Sequence, residues 1–380
     1  MAERNSPLIL GTDPIGKLLI QYSVPAIIAM TVTSLYNIID SIFIGHGVGA
    51  LAIAGLAITF PLMNLVVAFC TLVGIGGATI SSIFLGQKDK VRATEVVHNV
   101  LIMCIINAVC FGGLTFLFLD SILLFFGASH DTLPYARDFM QVILLGTPIT
   151  YVFIGLNNVM RATGYPRKAM FSSLLTVGCN IILAPIFIFS FDWGIRGAAL
   201  ATVVSQTVAM VWVLVHFANK KNFIHFDRRY SRLKVRVVAK IFSIGMSPFL
   251  MNVCACVVVI FINNALQHTG GDLAIGAYGI VNRTLMLFVM IVMGITQGMQ
   301  PIVGYNYGAK QYERVRKTLR YGITAGVGIT TVGFLFYELF HHAILGMVKT
   351  SEGVVDLSLT GVSSSCDIFP FVGSPFLHYT

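Results

Sequence analysis

The sequence predicts an all-α protein that spans a membrane with about ten helices. Three observations support this fold class: the composition, the spacing of the apolar runs, and the placement of basic residues. Of the 380 residues, 56% are hydrophobic and only 11% are charged, whereas soluble domains carry about 25% charged residues. With a mean hydropathy of +0.83, the chain is expected to face hydrocarbon over much of its surface.

The apolar runs are long enough to cross a bilayer, which takes about 20 residues of helix. The first nine runs are well marked, and the tenth is interrupted by polar residues between Ser363 and Asp367. Pro25 and Pro148 lie inside runs, where proline permits a bend. The predicted spans are 15–44, 51–84, 93–119, 136–160, 168–190, 196–218, 237–266, 273–304, 316–340 and 354–378.

Basic residues are concentrated on one side of these predicted spans. With a cytoplasmic N-terminus, 21 of the 25 lysines and arginines fall in inner segments, and only Arg137, Arg196, Arg283 and Lys349 fall in the outer half. Membrane proteins keep positive residues on the cytoplasmic side. The pattern therefore predicts a cytoplasmic N-terminus, and it explains the net charge of +9 without a nucleic-acid partner.

The chain also repeats itself at an offset of 222 to 223 residues. The offset covers six predicted spans, so both copies have the same orientation, as in transporters that hold substrate between parallel repeats. We predict a first domain at 1–219 with six spans, a cytoplasmic linker at 220–236, and an incomplete second domain at 237–380 with about four spans. The matching positions are Lys17 with Lys240, Pro25 with Pro248, Leu51–Gly55 with Leu273–Ala277, Gly86 with Gly308, Lys88 with Lys310 and Arg92 with Arg314.

Asp40 is the one acid that lies well within an apolar run among the first nine predicted spans. Tyr36 and Asn37 precede it by four and three positions, so the three residues share one helix face. Because an ionisable group in hydrocarbon is costly, it is a functional hypothesis by default. Asp40 could exchange a proton or ligate a sodium ion with neighbouring oxygens. The alternative is a hydrogen-bonded structural acid near the interface.

Other polar residues within the spans have two interpretations. Asn180 and Thr202 could supply oxygens to a cation site, although each alone is typical of helix packing. Arg161 at a helix end is expected to reach the membrane surface with its charged head.

A second polar group lies in the eighth predicted span. Arg283 is deep enough there to need a partner or a wet cavity. Together with Asn282, Gln297 and Gln300 it predicts a polar substrate cavity between the two copies. Interhelical hydrogen bonds explain the two glutamines equally well.

The sequence shows no motif for enzyme chemistry. A phosphate-binding glycine loop, a catalytic triad and zinc-ligand spacing are all missing, which disfavours an ATP-driven pump. Most of the seven cysteines lie in apolar spans, where cysteine acts as a small hydrophobe. We therefore expect no enzyme activity, no cofactor and no metal, apart from a sodium ion at Asp40.

Several motifs resemble those of the multidrug and toxic compound extrusion (MATE) transporters, over residues 8 to 340. The resemblance implies two parallel six-helix lobes around a central cavity, with the second lobe incomplete in this chain. The motifs are Pro25 with Tyr36–Asp40, Gly155–Asn158 with Arg161–Pro166, Asn180–Pro185, Gly194–Gln206, and Gln297–Pro301 with Gly304–Ala309.

The resemblance further implies export of amphipathic, cationic drugs in exchange for protons or sodium ions by alternating access. It implies a monomer in the bacterial cytoplasmic membrane, with small-molecule drugs and membrane lipids as partners. The cation site carries over to Asp40, Asn180 and Thr202, with Asn157 or Asn158 nearby. Many family members have an aspartate where this chain has Ala184, which favours proton coupling through Asp40.

Two alternatives remain open from the sequence. One is a flippase of the same superfamily that moves lipid-linked sugars, for which Arg283 is the one supporting residue. The other is a remnant without transport activity, because the partners of the first copy's last two helices would fall beyond residue 380.

Overall fold

The computed structural model describes residues 7–347 except residue 231, and in this range it is helical without a strand. Side chains are described there except at positions 7, 37, 50, 228, 259–260, 263–287, 334 and 336–347. The tenth predicted span, 354–378, lies outside the described residues. The helices are α1 Ile15–Gly47, α2 Ala50–Gly86, α3 Lys90–Leu117, α4 Leu119–Phe125, α5 Leu133–Leu145, α6 Thr147–Ala162, α7 Pro166–Pro185, α8 Gly194–Ala218, α9 Val235–Gly308 and α10 Tyr312–Met347.

The first eight predicted spans have helical counterparts. Within the described residues, seven helices are long and apolar enough to cross a membrane, or eight if α5 and α6 form one bent span. Helix α10 coincides with the ninth predicted span but is not among those seven. The end of the fifth predicted span is a π-helical turn at Ile186–Ser190, directly after Pro185.

The fourth predicted span, 136–160, consists of α5 and α6, and the chain bends by 56° between them. Gly146 separates the two helices, and Pro148 lies in the first turn of α6. Proline has no N–H to continue the ladder of α5. A Cβ atom at position 146 would lie 2.5 Å from Cγ2 of Val203, so glycine allows α8 to pack at this bend.

The sequence predicts two spans, 237–266 and 273–304, joined by a loop. The structure instead has helix throughout this region, in the 74 residues of α9. Its ends nevertheless meet the same part of α2. Cβ atoms added to Gly76 and Gly86 would overlap the carbonyl oxygens of Ile241 and Tyr305, respectively. A straight helix would separate Ile241 from Tyr305 by about 96 Å. The helix therefore reverses direction between its first arm, Val235–Val258, and its second arm, Phe288–Gly308.

The sequence repeat has a counterpart in backbone geometry. Helix α2 and the second arm of α9 end in the same way, with Lys88 and Lys310 both at a φ of 61°. In both helices the backbone N–H of the next residue donates a hydrogen bond to the carbonyl oxygen five residues earlier. These bonds are Asp89 N to Phe84 O at 2.9 Å and Gln311 N to Asn306 O at 2.8 Å. Each pair of positions differs by the offset read from the sequence, which supports two copies of one unit.

The two lobes touch through small residues at this same end of the molecule. An added Cβ at Gly86 would overlap the Tyr305 carbonyl oxygen, and one at Gly308 would overlap the Ile83 carbonyl oxygen. The repeat offset relates Gly86 to Gly308 and Ile83 to Tyr305, so it converts each of these two contacts into the other. Ser82 corresponds to Gly304, and a Cβ at Gly304 would lie 2.8 Å from the Ser82 Cβ. A pseudo-twofold axis therefore passes between them.

Candidate functional site

Asp40 lies in the C-terminal half of α1, one turn after Tyr36. Its side chain is 8% exposed, and Oδ1 is buried without a hydrogen-bond partner in the described part of the chain. Helix α1 packs against α7, and the side chain of Ala184 on α7 is fully buried. Position 184 therefore adds no carboxylate beside Asp40.

One turn before Asp40, three polar side chains from three helices meet. Tyr36 Oη lies 3.0 Å from Thr202 Oγ1. Asn180 Nδ2 donates to Thr202 Oγ1 at 3.1 Å and to Tyr36 Oη at 3.3 Å. We call Asp40, Tyr36, Asn180 and Thr202 the N-lobe polar cluster. It ties α1 to α7 and α8 with hydrogen bonds inside an apolar surround.

The local sequence explains how the N-lobe polar cluster assembles. Tyr36 and Asp40 are four residues apart and therefore lie one above the other on α1. On α8, Ala198 and Ala201 are fully buried, and such small residues let membrane helices approach closely. The hydroxyl of Thr202 is thereby brought within reach of Tyr36 on α1 and Asn180 on α7.

The structure adds two residues that sequence reasoning missed. Gln206 lies one turn beyond Thr202 on α8, and its Oε1 accepts a short hydrogen bond from Thr150 Oγ1 on α6. Gln206 could have been predicted from the sequence, because it follows Thr202 by four residues and therefore lies on the same face of α8. Thr150 and Gln206 extend the polar surface of the first lobe toward the bend before α6.

The two asparagines predicted near Asp40 lie elsewhere. Asn157 Nδ2 donates to Ser172 Oγ at 2.6 Å and to Ala169 O at 3.0 Å. Ser172 is eight residues from Asn180, or about 12 Å along α7. Asn158 Nδ2 donates to Ile154 O in its own helix at 3.0 Å. The structure therefore does not bring either asparagine into the N-lobe polar cluster.

The prediction that Arg161 reaches the membrane surface is wrong. Its side chain is 6% exposed and lies where α6 meets the second arm of α9. It donates a short hydrogen bond to Gln297 Oε1 and a longer one, 3.3 Å, to Asn157 Oδ1. Both partners are neutral, and no acid pairs with Arg161 among the residues described.

The two predicted cavity glutamines also lie at the contact between the lobes. Gln300 Nε2 donates to Thr79 Oγ1 at 2.5 Å and to Ile75 O at 3.1 Å. Gln297 Nε2 lies 3.8 Å from Met30 Sδ. The side chains of Arg283, Asn282 and Asn37 lie outside the described ones, so their assignment to a substrate cavity or a coupling site stays a prediction.

The titratable side chains do not gather into a metal centre in the described range, where no group of three or more His, Cys, Asp or Glu residues could hold an ion.

Two parallel helical repeats with a buried polar cluster in one lobe define a membrane transporter. A family model described as MatE matches residues 25–186 and 244–370. The chain belongs to the MATE family.

Individual relatives agree with this assignment. The multidrug export protein MepA of Staphylococcus haemolyticus is 31% identical over 348 residues, covering 90% of this chain and 76% of that protein. MepA of Staphylococcus aureus is 28% identical over 352 residues, with 91% and 76% covered. A solved multidrug resistance MATE transporter in an outward-facing conformation superposes with a TM-score of 0.91, covering 98% of this chain and 83% of that one at 23% identity.

Proposed function

We propose that the protein exports amphipathic, cationic small molecules in exchange for protons or sodium ions by alternating access. The names of the MepA relatives support multidrug export. One observation carries the coupling assignment, namely the buried and unpartnered Asp40 Oδ1 beside the hydrogen-bonded Tyr36, Asn180 and Thr202. The proposal includes a bacterial cytoplasmic membrane location with the N-terminus inside, a monomer, no cofactor, and no enzyme activity.

Asp40 suits coupling because its charge is costly where it lies. A carboxylate away from water and without a partner is unfavourable unless it is neutralised. Binding a proton or a sodium ion removes that cost, and releasing the ion restores it. Helices α1, α7 and α8 share the N-lobe polar cluster, so a change of charge at Asp40 acts on the packing of all three helices.

The hydrogen bonds around Asp40 favour a proton over a sodium ion as the coupling ion. Asn180 directs its Nδ2 toward the hydroxyl oxygens of Tyr36 and Thr202, so those oxygens already accept hydrogen bonds. Ala184 removes the second carboxylate that would help to bind sodium. A lone carboxyl group can carry a proton without further ligands.

The test is efflux of a cationic dye from bacterial cells that express the chain or its Asp40→Asn variant. Asn cannot release a proton, so we expect export to be lost while the amount of protein in the membrane stays unchanged. Asp138→Asn is the matched control, because Asp138 pairs with Arg196 at the exposed outer end. Efflux by Asp40→Asn would overturn the site.

Transport in vesicles distinguishes the two ions. A pH gradient without sodium should drive dye transport, and dependence on sodium alone would contradict proton coupling.

A further inference from the structure

A crevice of about 440 Å³ lies between the two lobes, lined by residues of α2, α3 and α9. Its floor is apolar and includes Ile80 and Phe84 of α2 and Ile244 of α9. Its rim carries Arg92 of α3 and Lys240 of α9. The crevice thus combines side chains of both lobes.

The two cations converge on one aromatic ring. The guanidinium carbon of Arg92 lies 5.8 Å from the ring centroid of Phe84, and Lys240 Nζ lies 5.5 Å from the same centroid. Arg92 also pairs with the half-buried Asp89 at 3.2 Å. Lys240 has no acidic partner in the part of the chain that the structure describes. One positive charge at the rim therefore remains unbalanced.

The repeat provides a second groove for comparison, in which Arg314, Lys17 and Asn306 take the positions of Arg92, Lys240 and Phe84. The chain's own turn at Pro7–Gly11 fills that groove, with Leu10 fully buried. Arg314 Nη2 donates to the carbonyl oxygens of Leu10 at 3.0 Å and Asp13 at 2.7 Å. Lys17 Nζ donates to Asp13 Oδ2 at 3.0 Å. This groove accepts an apolar chain together with oxygen atoms.

The segment that would fill the first crevice takes another course. Before α9 begins, Lys234 N donates to Asn99 Oδ1 at 2.8 Å, and its Nζ binds Glu95 Oε1 at 2.5 Å. Both acceptors lie further along α3, beyond Arg92. The linker is thereby held on α3. Among the described residues of the crevice over Phe84, Arg92 has no counterpart of the carbonyl oxygens that Arg314 binds, and Lys240 has no counterpart of the Asp13 carboxylate that Lys17 binds.

From this comparison we infer that the crevice binds an anionic phospholipid. The phosphate group accepts from Arg92 and Lys240, and an acyl chain lies over Phe84 and Ile244. Anionic lipids of the cytoplasmic leaflet are attracted to basic residues at the membrane surface, which is where the positive-inside pattern places this end. A bound lipid bridges the two lobes and stabilises their contact there.

Native mass spectrometry of the purified full chain tests the site, with phosphatidylglycerol or phosphatidylcholine added. We expect retention of phosphatidylglycerol and little of phosphatidylcholine. Arg92→Gln with Lys240→Gln should weaken phosphatidylglycerol binding roughly 30-fold, since each surface cation contributes about a fivefold factor. Ser243→Trp, which fills the crevice without removing charge, should lower binding as well.

Lys220→Gln with Lys221→Gln is the matched control, because both residues are exposed on the same side of the protein but do not line the crevice. Equal loss of lipid in this control would show a general charge effect and overturn the site. Equal retention of the two lipids, or full binding by Ser243→Trp, would also overturn it. Displacement of the lipid by inorganic phosphate alone would mean that the crevice is an anion site without a place for an acyl chain.

Discussion

At the scale of single residues, Arg161 is unusual because a buried charge has only neutral partners. Removing an arginine from water is costly unless its donors are satisfied. Here Gln297 and Asn157 provide acceptors, and Gln297 belongs to the opposite lobe. Arg161 therefore keeps its bond to Gln297 only while the lobes are in contact at this end, which makes the residue sensitive to lobe separation.

We predict that Arg161→Gln loosens this contact. Hydrogen bonds to a charged group contribute about 1.5–3 kcal/mol, so the lobes should separate at least about tenfold more often. The measurement is maleimide labelling of Ser82→Cys, a fully buried position, in a background without other cysteines. Arg196→Gln, at an exposed position in the first turn of α8, should leave the labelling rate unchanged; an unchanged rate in Arg161→Gln would contradict the prediction.

Tyr36 gives a prediction about the N-lobe polar cluster. In Tyr36→Phe the hydroxyl is lost, but the Asn180–Thr202 bond remains, so we expect a loss of about 0.6–1 kcal/mol in unfolding free energy. Transport should fall only in part, unlike in Asp40→Asn. Tyr151→Phe is the control for unfolding, because the buried Tyr151 Oη has no partner among the described residues. A larger loss in Tyr151→Phe would contradict this account.

Sequence reasoning found Asp40 and Tyr36 because their spacing on one apolar helix is visible without a fold. It proposed Asn180 and Thr202 as further oxygens, and the structure brings both to Tyr36. Gln206 was missed because its partner Thr150 depends on how α6 crosses α8. Arg161 was wrongly assigned because a position near a helix end does not show whether another lobe covers it.

At the scale of helices, the lobe contact depends on glycines that face backbone rather than side chains. An overlap with a carbonyl oxygen cannot be relieved by a rotamer change. Gly86 and Gly308 meet Tyr305 O and Ile83 O, respectively, in contacts related by the repeat. The substitution of either glycine must therefore move a whole helix.

We predict that Gly86→Ala and Gly308→Ala impair transport and lower the unfolding temperature to a similar extent. Gly178→Ala is the matched control, since an added Cβ meets no atom within 4 Å there. Removing a glycine from an open helix surface should be neutral or stabilising by up to about 1 kcal/mol. Thermal unfolding in detergent provides the measurement, and a normal unfolding temperature for both Gly86→Ala and Gly308→Ala would contradict the contact.

The helices show where sequence patterns stop being sufficient. Apolar runs located the spans of α1, α2, α3, α7 and α8 within a few residues. The bend between α5 and α6 was not assigned, because proline only permits a bend and the packing of Val203 on Gly146 fixes it. The helix assignment through α9 likewise differs from the predicted loop, although the reversal of its two arms follows from their contacts with α2.

At the scale of the whole molecule, the linker belongs physically to the first lobe. Phe226 N donates to Phe217 O at 2.7 Å, Ile224 is buried, and Lys234 binds Glu95 on α3. The second lobe therefore begins only at the start of α9. The proposed alternating access requires the lobes to part at the end where Ser82 meets Gly304.

This requirement leads to a prediction for Ser82→Cys combined with Gly304→Cys, in a background without other cysteines. The two Cβ positions are 2.8 Å apart, and a small outward shift gives the spacing of about 3.8 Å found in disulfides. Oxidation should cross-link the lobes and stop dye efflux, because the lobes can no longer separate at this end. A reductant should restore the efflux, and each single cysteine variant should be insensitive to oxidation. Continued efflux by fully cross-linked protein would show that transport does not open this contact.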